Sequence, residues 1–206
     1  MFRRRQARKS KPASADGQDR PAAAGEAGTG GTADTGSDGQ YEIVAAAESM
    51  VMTYEQTGDL PELMEAIGLF RSVLASGRLS AVTRYAAQHG LGTAMWSLYE
   101  RTGELAALDE AAALLESAIT ITEVAEEVRL SSMTNLAGAL RLRARQPGHA
   151  ADLQRAIDLY RAVAAATPER DARRGVRLSS LAAAVHDLTA RQGTDPLATG
   201  DRDSKA

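Results

Sequence analysis

The chain has 206 residues and no cysteine, which excludes disulfides, thiolate metal sites and cysteine nucleophiles together. Aromatic residues are also scarce, at 4% of the chain, so a core must be built mainly from aliphatic side chains and alanine. No apolar run approaches the roughly 18 residues of a membrane span. The basic residues near the start are not followed by the apolar segment of a secretory signal. We therefore expect a cytoplasmic protein.

The first 40 residues differ in composition from the rest of the chain. Residues 1–11 contain six positive side chains and no negative one, and residues 12–40 contain no Leu, Ile, Val, Phe or Met. So little apolar surface cannot offset the conformational entropy that folding removes, so residues 1–40 are predicted to be a disordered tail. Because the whole chain has a net charge of −3, residues 12–206 carry the acidic excess. Nucleic-acid binding, which usually needs a basic surface, is therefore expected only from the tail.

A short phrase recurs through the remainder of the chain around four regularly spaced glycines. They stand 45 residues apart and are Gly58, Gly103, Gly148 and Gly193. The phrase is clearest in residues 54–60 and 99–105. A fixed period of this length is typical of stacked helical hairpins. We interpret the glycines as left-handed caps at helix ends, because glycine lacks the Cβ that makes this conformation costly.

Aligning the repeats on these glycines predicts two sets of helices. The helices downstream of the glycines are expected at 60–76, 105–122 and 150–166, and the upstream helices at 80–100, 126–145 and 171–191. Residues 41–54 match the second half of an earlier upstream helix. Apolar residues that step by three and four predict the buried stripe of a helix. One such stripe is Leu105, Leu108, Ala112, Leu115 and Ile119, and another is Leu178, Leu181, Val185 and Leu188.

The repeat resembles the tetratricopeptide repeat (TPR). The resemblance rests on Leu136, Ala137 and Leu140, then the glycine turn, then the downstream residues Ala156, Ile157, Tyr160 and Pro168. Val163 departs from the small residue that the family usually has there. The 45-residue form of residues 99–105 is similar to helical arrays of actinobacterial multidomain proteins, which often accompany a caspase-like (CHAT) domain or an NTPase.

The resemblance implies an all-α fold: a short right-handed α-solenoid of about seven antiparallel helices, with its concave face lined by the upstream helices. The expected domains are the tail at 1–40, the TPR-like repeat domain at 41–192, and a truncated repeat stub with a disordered C-terminus at 193–206. The family binds peptides or proteins and is not catalytic, so no cofactor, metal or small-molecule substrate is expected. The carboxylate clamp of some members cannot be assigned, because its position is occupied by Thr93, Gly138 and Ala183.

Family position predicts which side chains reach the concave face. The partner-binding candidates are His89, Thr93, Trp96, Asn135, Arg141 and His186, with Thr134, Ser179 and Asp187 beside them. Trp96 is interpreted either as a binding anchor or as packing between neighbouring helices, and Asn135 either as a contact or as a hydrogen-bonding partner of the backbone between repeats. The histidines lack the spacing of a metal site. A recurring set, Arg84, Arg129 and Arg174, could bind an acidic partner or pair with carboxylates between repeats.

Three functions follow from these features. The first is an adaptor or scaffold that binds a protein or peptide on its helical surface. The second is a self-assembling module, in which helix 171–191 pairs with another copy through its apolar stripe. The third is an electrostatic tether, in which residues 1–11 touch nucleic acid or a membrane. No catalytic constellation can be placed, so an enzyme is not expected.

Overall fold

The computed structural model describes residues 35–193, which form seven α-helices and no strand. The helices are α1 (Thr35–Thr57), α2 (Leu60–Ala75), α3 (Ala81–Thr102), α4 (Leu105–Ile119), α5 (Glu126–Arg143), α6 (Ala151–Ala166) and α7 (Arg174–Gly193). The all-α prediction is confirmed, and each predicted helix lies close to its observed position. Residues 1–34 and 194–206 lie outside the described part. These two ranges contain most of the predicted tail and of the predicted stub.

The first helix begins earlier than the sequence predicts. α1 starts at Thr35, within the predicted tail of residues 1–40. Residues 35–40 contain no large apolar side chain, so composition gave no signal for them. Extending an existing helix fixes one residue for each hydrogen bond gained, which costs far less than starting a new helix. Short polar extensions of a well-packed helix therefore escape a prediction that depends on apolar content.

The repeated phrase is a helix stop built from backbone and threonine. The N–H groups of Gly58 and Gly103 donate to the carbonyls four residues earlier at 2.7 Å in both copies, and φ is +73° and +74° at the two glycines. Thr57 and Thr102 accept a hydrogen bond from the backbone N–H two residues later, at 3.2 Å in each case. In the second copy the N–H that donates to Thr102 belongs to Glu104, and the equivalent hydrogen bond is formed one repeat earlier. The sequence phrase is repeated because both repeats end a helix with the same hydrogen bonds.

The other two repeat glycines behave differently. Gly148 has a φ of +86° but lies in a turn beyond α5, which ends at Arg143. Gly193 is the last residue of α7 and is not among the glycines with positive φ. The interpretation as a left-handed cap is therefore wrong for Gly193. Its phrase lacks the Thr-Gly pair that makes the stop at Gly58 and Gly103.

Replacing Gly103 by alanine is expected to lower the free energy of unfolding by about 1–2 kcal/mol, because an L-residue would be held in the left-handed region. A Cβ at this position would meet no atom within 4 Å, so the backbone conformation alone carries the cost. Gly68 provides the control, because it lies inside α2 and is equally open. Gly68→Ala should instead add about 0.5–1 kcal/mol. Urea denaturation followed by circular dichroism measures both, and equal effects of the two substitutions would contradict the cap.

The helices form two layers of antiparallel hairpins. We call α1, α3, α5 and α7 the odd layer, and α2, α4 and α6 the even layer. Successive odd helices come within 8 Å of one another, measured between Cα atoms, whereas α2 and α4 do not, and neither do α4 and α6. Because the odd helices approach more closely, the stack curves towards the odd layer, which is its concave side. This agrees with the concave face that the resemblance implies for the upstream helices.

Two apolar cores run through the stack. The first lies between α1, α2 and α3 and includes the fully buried Phe70, and the second lies between α4, α5 and α6 and includes the fully buried Leu140. Trp96 and Tyr99 pack against both. The predicted α4 stripe is largely confirmed, but Leu105 is 43% exposed. Leu105 is the first residue of α4 and lies beyond the surface against which the rest of the stripe packs.

The α7 stripe is split between the core and the surface. Leu181, Val185 and Leu188 pack against the second core. Leu178 is exposed. The stripe is therefore not a free apolar face along its whole length, because three of its four members pack against the second core.

Candidate partner-binding surface

The concave side carries a recess near the N-terminal ends of its helices, with a volume of about 390 Å³. α3 forms the floor, α1 forms one wall, and the α4–α5 loop with the start of α5 forms the other. We call this recess the His89 cleft. Among its lining residues are Tyr41, Glu48, Val82, Tyr85, His89, Glu123 and Val128. Of the sequence-predicted candidates, only His89 contributes to it.

His89 is held in place by a chain of hydrogen bonds to α5. Its Nδ1 lies 2.7 Å from the hydroxyl of Ser132, which lies 2.7 Å from the hydroxyl of Tyr85. Tyr85 donates its only hydroxyl proton to the carbonyl of Val128 at 2.6 Å. The Tyr85 and His89 rings also stack, with centroids 5.8 Å apart. Ser132 is fully buried, so this chain ties α3 to α5 rather than presenting a free hydroxyl.

The donor and acceptor roles in this series of hydrogen bonds show which nitrogen of His89 carries the proton. Because Tyr85 donates its hydroxyl proton to Val128, Ser132 must be the donor in its hydrogen bond with Tyr85. The Nδ1 of His89 must then donate to Ser132. In the neutral ring, Nε2 is therefore an acceptor. Burial lowers the pKa of His89, which favours this neutral form.

The lowered pKa of His89 predicts a loss of stability in mild acid. The unfolded chain takes up a proton below about pH 6.5, the ordinary histidine value, whereas folded His89 does so only at lower pH. The unfolded state then binds more protons, so stability falls as pH drops through this window. His89→Asn keeps a donor to Ser132 and removes the titration. Its unfolding free energy should fall less between pH 7 and pH 5 than that of the wild type, and parallel curves would contradict the assignment.

Trp96 lies between repeats instead of standing free in the groove. Its ring rests on α5 at Gly138, where an added Cβ would come within 2.2 Å of the ring. Its Nε1–H donates to Glu100 at 3.0 Å, and the side chain is half-buried against both cores. Gly138 occupies the position of Thr93 in the next repeat, and only glycine there leaves room for the indole. The geometry favours packing between helices over a free binding anchor.

A second recess, of about 220 Å³, lies between α5 and α7. Its lining includes Thr134, Asn135 and Arg177. Thr134 donates to the carbonyl of Leu130 at 2.7 Å, so its hydroxyl is used within α5. Asn135 is half-buried at this recess. The structure therefore places two of the predicted candidates, His89 and Asn135, at different recesses of the same concave side.

The remaining candidates are distributed along the same layer. Arg141 of α5 pairs with Asp187 of α7, with 3.5 Å between Nη1 and Oδ2. His186 is exposed beside this pair. The hydroxyl of Thr93 donates to the carbonyl of Gly90 at 2.9 Å. The candidates therefore share a layer but do not converge on one site, and their role in binding stays a prediction.

Of the recurring arginines Arg84, Arg129 and Arg174, the last is committed to backbone contacts. Arg174 donates to the carbonyls of Ala164 and Thr167 at the end of α6. The neighbouring Arg177 is buried and donates to the Thr167 hydroxyl at 2.6 Å. Both guanidinium groups therefore tie α7 to α6.

Ion pairs that were not predicted from the sequence bridge the even layer. Arg71 of α2 pairs with Glu110 of α4, with 2.8 Å between Nη2 and Oε2, and Glu116 of α4 pairs with Arg155 of α6. The repeat alignment places Arg71 over Glu116 and Glu110 over Arg155. The two pairs thus use the same positions with the signs exchanged. Opposite charges at matching spacings in successive repeats are the signal that could have revealed them.

No group of three or more His, Cys, Asp and Glu side chains within residues 35–193 could hold a metal ion. None of the helices in the same range is both long and apolar enough to cross a membrane.

Comparison with known proteins supports the fold. Neither the protein-family models nor the curated proteins give a match. A crystal structure of nearly identical TPR-like repeats, from a Podosopora anserina protein assigned as a kinesin light chain, is similar at 25% identity and a TM-score of 0.51. The similarity covers 73% of this chain and 69% of that chain. With the seven helices of residues 35–193 stacked as repeated hairpins, the chain has a TPR-like helical-repeat fold.

Proposed function

We propose that this chain is a non-catalytic adaptor that binds a protein or peptide partner on its odd layer. TPR-like repeats serve protein interaction in general, and the concave side here carries recesses between successive odd helices. The observation that carries the proposal is the His89 cleft, where the exposed apolar side chains Tyr41, Val82 and Val128 meet. Exposed apolar residues gathered in one recess mark a binding surface more strongly than scattered ones. We expect this binding to take place in the cytoplasm.

The one arrangement that resembles a catalytic pair supports a structural role instead. His89 and Ser132 lie at the distance of a base and its nucleophile. However, the Ser132 side chain is fully buried in the α3–α5 contact, and its hydroxyl is also bonded to Tyr85. A nucleophile needs access to its substrate, and Ser132 has none in this packing. The absence of catalysis therefore forms part of the proposal.

The other two functions stay alternatives. Self-association through α7 is supported by the exposure of Val176 and Leu178. It is also supported by Ala182, which is exposed although its repeat equivalents Gly92 and Ala137 are covered by a partner helix. The tether would use residues 1–11, which lie outside the described residues. The adaptor remains the proposal because the apolar residues of the His89 cleft converge from three elements.

The adaptor proposal is tested by affinity purification of the tagged full chain from its native cells. Val82→Asp places a charge in the His89 cleft. Because Val82 lies in the first turn of α3, an acidic residue there suits the helix dipole. Leu105→Asp is the matched control, because Leu105 is similarly exposed at the first residue of α4 in the even layer. Thermal melts establish that both variants fold.

The wild type and Leu105→Asp should recover the same stoichiometric protein, and Val82→Asp should lose it. Two results would count against the adaptor proposal. One is that no stoichiometric partner is recovered with the wild type. The other is that Val82→Asp retains the same protein in unchanged yield.

A further inference from the structure

The His89 cleft has features that select the chemistry of its occupant. Its apolar part is built from Tyr41 of α1, Val82 of α3 and Val128 of α5, which are 50%, 50% and 44% exposed. Single exposed apolar residues are ordinary on protein surfaces. Three from three helices around one recess can enclose an apolar side chain of a ligand. The cleft is therefore suited to hold at least one such side chain.

The charged side chains that line the cleft within residues 35–193 are acidic. Glu48 stands on the α1 wall and Glu123 on the opposite wall, and none of the residues within 35–193 that line the cleft is a Lys or Arg. Burial raises the pKa of Tyr85 and the charge of Arg129 opposes this shift, but Arg129 is not among the residues that line the cleft. Partial desolvation raises the pKa of Glu48, so its carboxylate has lost some solvation that a cation could replace. An anionic ligand would be repelled by both walls.

His89 adds a third acceptor. Its Nδ1 is committed to Ser132, and the direction of the hydrogen-bond chain leaves Nε2 unprotonated in the neutral ring. Within residues 35–193, Nε2 has no protein partner. A ligand that offers N–H donors can hydrogen-bond to the two carboxylates and to this nitrogen. A ligand that offers only acceptors satisfies none of them.

We propose that the His89 cleft binds a partner segment in which an apolar side chain is closely followed by a lysine or arginine. The apolar side chain lies among Tyr41, Val82 and Val128, and the cationic group lies between the carboxylates of Glu48 and Glu123. The inference rests on the adaptor function proposed above and names the class of its partner. A second copy of the acidic body of this chain fits less well, because its charge has the same sign as the cleft walls.

The probe is a synthetic positional-scanning array of short peptides, incubated with the full-length labelled chain at low and at high salt. We expect retention on peptides that contain Leu, Met or Phe followed within two residues by Lys or Arg. Glu at the basic position should weaken binding by about two- to tenfold, because Glu48 and Glu123 are both exposed and exposed charge pairs contribute modestly. Binding should also weaken at high salt.

The variants assign the selectivity to the cleft. The double variant Glu48→Gln with Glu123→Gln should lose the preference for Lys and Arg while still retaining apolar peptides. Glu65→Gln on the exposed face of α2 should change nothing. The proposal is overturned if no peptide is retained, if acidic peptides are preferred, or if the basic preference survives in the double variant. It is also overturned if Val82→Asp dissociates a dimer in sedimentation, because a second copy would then occupy the cleft.

The two proposals fail in different ways. If the array contradicts the basic-apolar preference while Val82→Asp still loses the cellular partner, the adaptor function stands and the partner class is wrong. If Val82→Asp retains the partner in the purification, the adaptor site itself is wrong, whatever the array shows.

Discussion

Phe70→Ala should lower the free energy of unfolding by about 3–5 kcal/mol, the usual cost of removing a buried phenylalanine ring. Phe70 is fully buried in the first core, between α2 and α3. The other buried side chains of this core are all smaller than phenylalanine, so removal of the ring leaves a cavity. Urea denaturation followed by the fluorescence of Trp96 measures the effect, because Trp96 is the only tryptophan and packs against both cores.

Gly90 tests the same contact from the other side. A Cβ on Gly90 would lie 2.5 Å from two ring atoms of Phe70, and the ring is enclosed and cannot swing away. Gly90→Ala is therefore expected to cost about 1–3 kcal/mol by overpacking, although alanine favours a helix. The control is Gly68→Ala, which meets no atom within 4 Å and should stabilise α2.

Substitutions at both positions together test the contact between Gly90 and the Phe70 ring. Phe70→Leu removes the ring atoms that a Cβ on Gly90 would meet. In the double variant, Gly90→Ala should therefore cost less than it does alone, which gives a coupling energy of about 0.5–3 kcal/mol. Strict additivity, or a Phe70→Ala variant as stable as the wild type, would contradict the packing of α2 on α3.

Leu140→Ala should cost about 2–5 kcal/mol in the second core. Leu140 is fully buried in α5 and packs with residues of α4 and α6. Its repeat equivalents are Met95 in α3 and Val185 in α7, so the position serves the same contact in each repeat. Leu105→Ala is the control, because Leu105 is exposed and should change stability by less than about 0.5 kcal/mol.

The helices that a core substitution destabilises test the repeat architecture. In a stack of repeats each unit contacts only its neighbours, so destabilisation spreads mainly to adjacent helices. Hydrogen exchange of Leu140→Ala should show faster exchange in α5, α6 and α7 than in α1 and α2. Uniform loss of protection along residues 35–193 would instead indicate a single cooperative globule.

The sequence predicted the helices well because the repeat supplied independent copies of each signal. The helix ends at Gly58 and Gly103 share the same Thr-Gly geometry, so each copy supports the interpretation of the other as a helix end. The prediction was wrong where a copy had lost that geometry. Gly193 has the spacing but not the Thr-Gly pair, and the helix runs on to it.

The site was less predictable because it depends on contacts between helices that are far apart in the chain. Family position placed Trp96 on the concave side, but the glycine that makes room for its ring is Gly138, one repeat later. The acceptor role of His89 depends on Ser132 and Tyr85, neither of which stood out in the sequence. No local pattern gives the direction of such a hydrogen-bond chain.

The central claim is that a partner binds the odd layer of the stack. It is tested most directly by photo-crosslinking in native cells, with a photoreactive amino acid placed at Ala86 or at Ala113. Ala86 lines the His89 cleft, and Ala113 is exposed on α4 in the even layer. We predict a discrete crosslinked partner from Ala86 and none from Ala113. The same adduct from both positions, or an adduct from Ala113 alone, would contradict binding on the concave side.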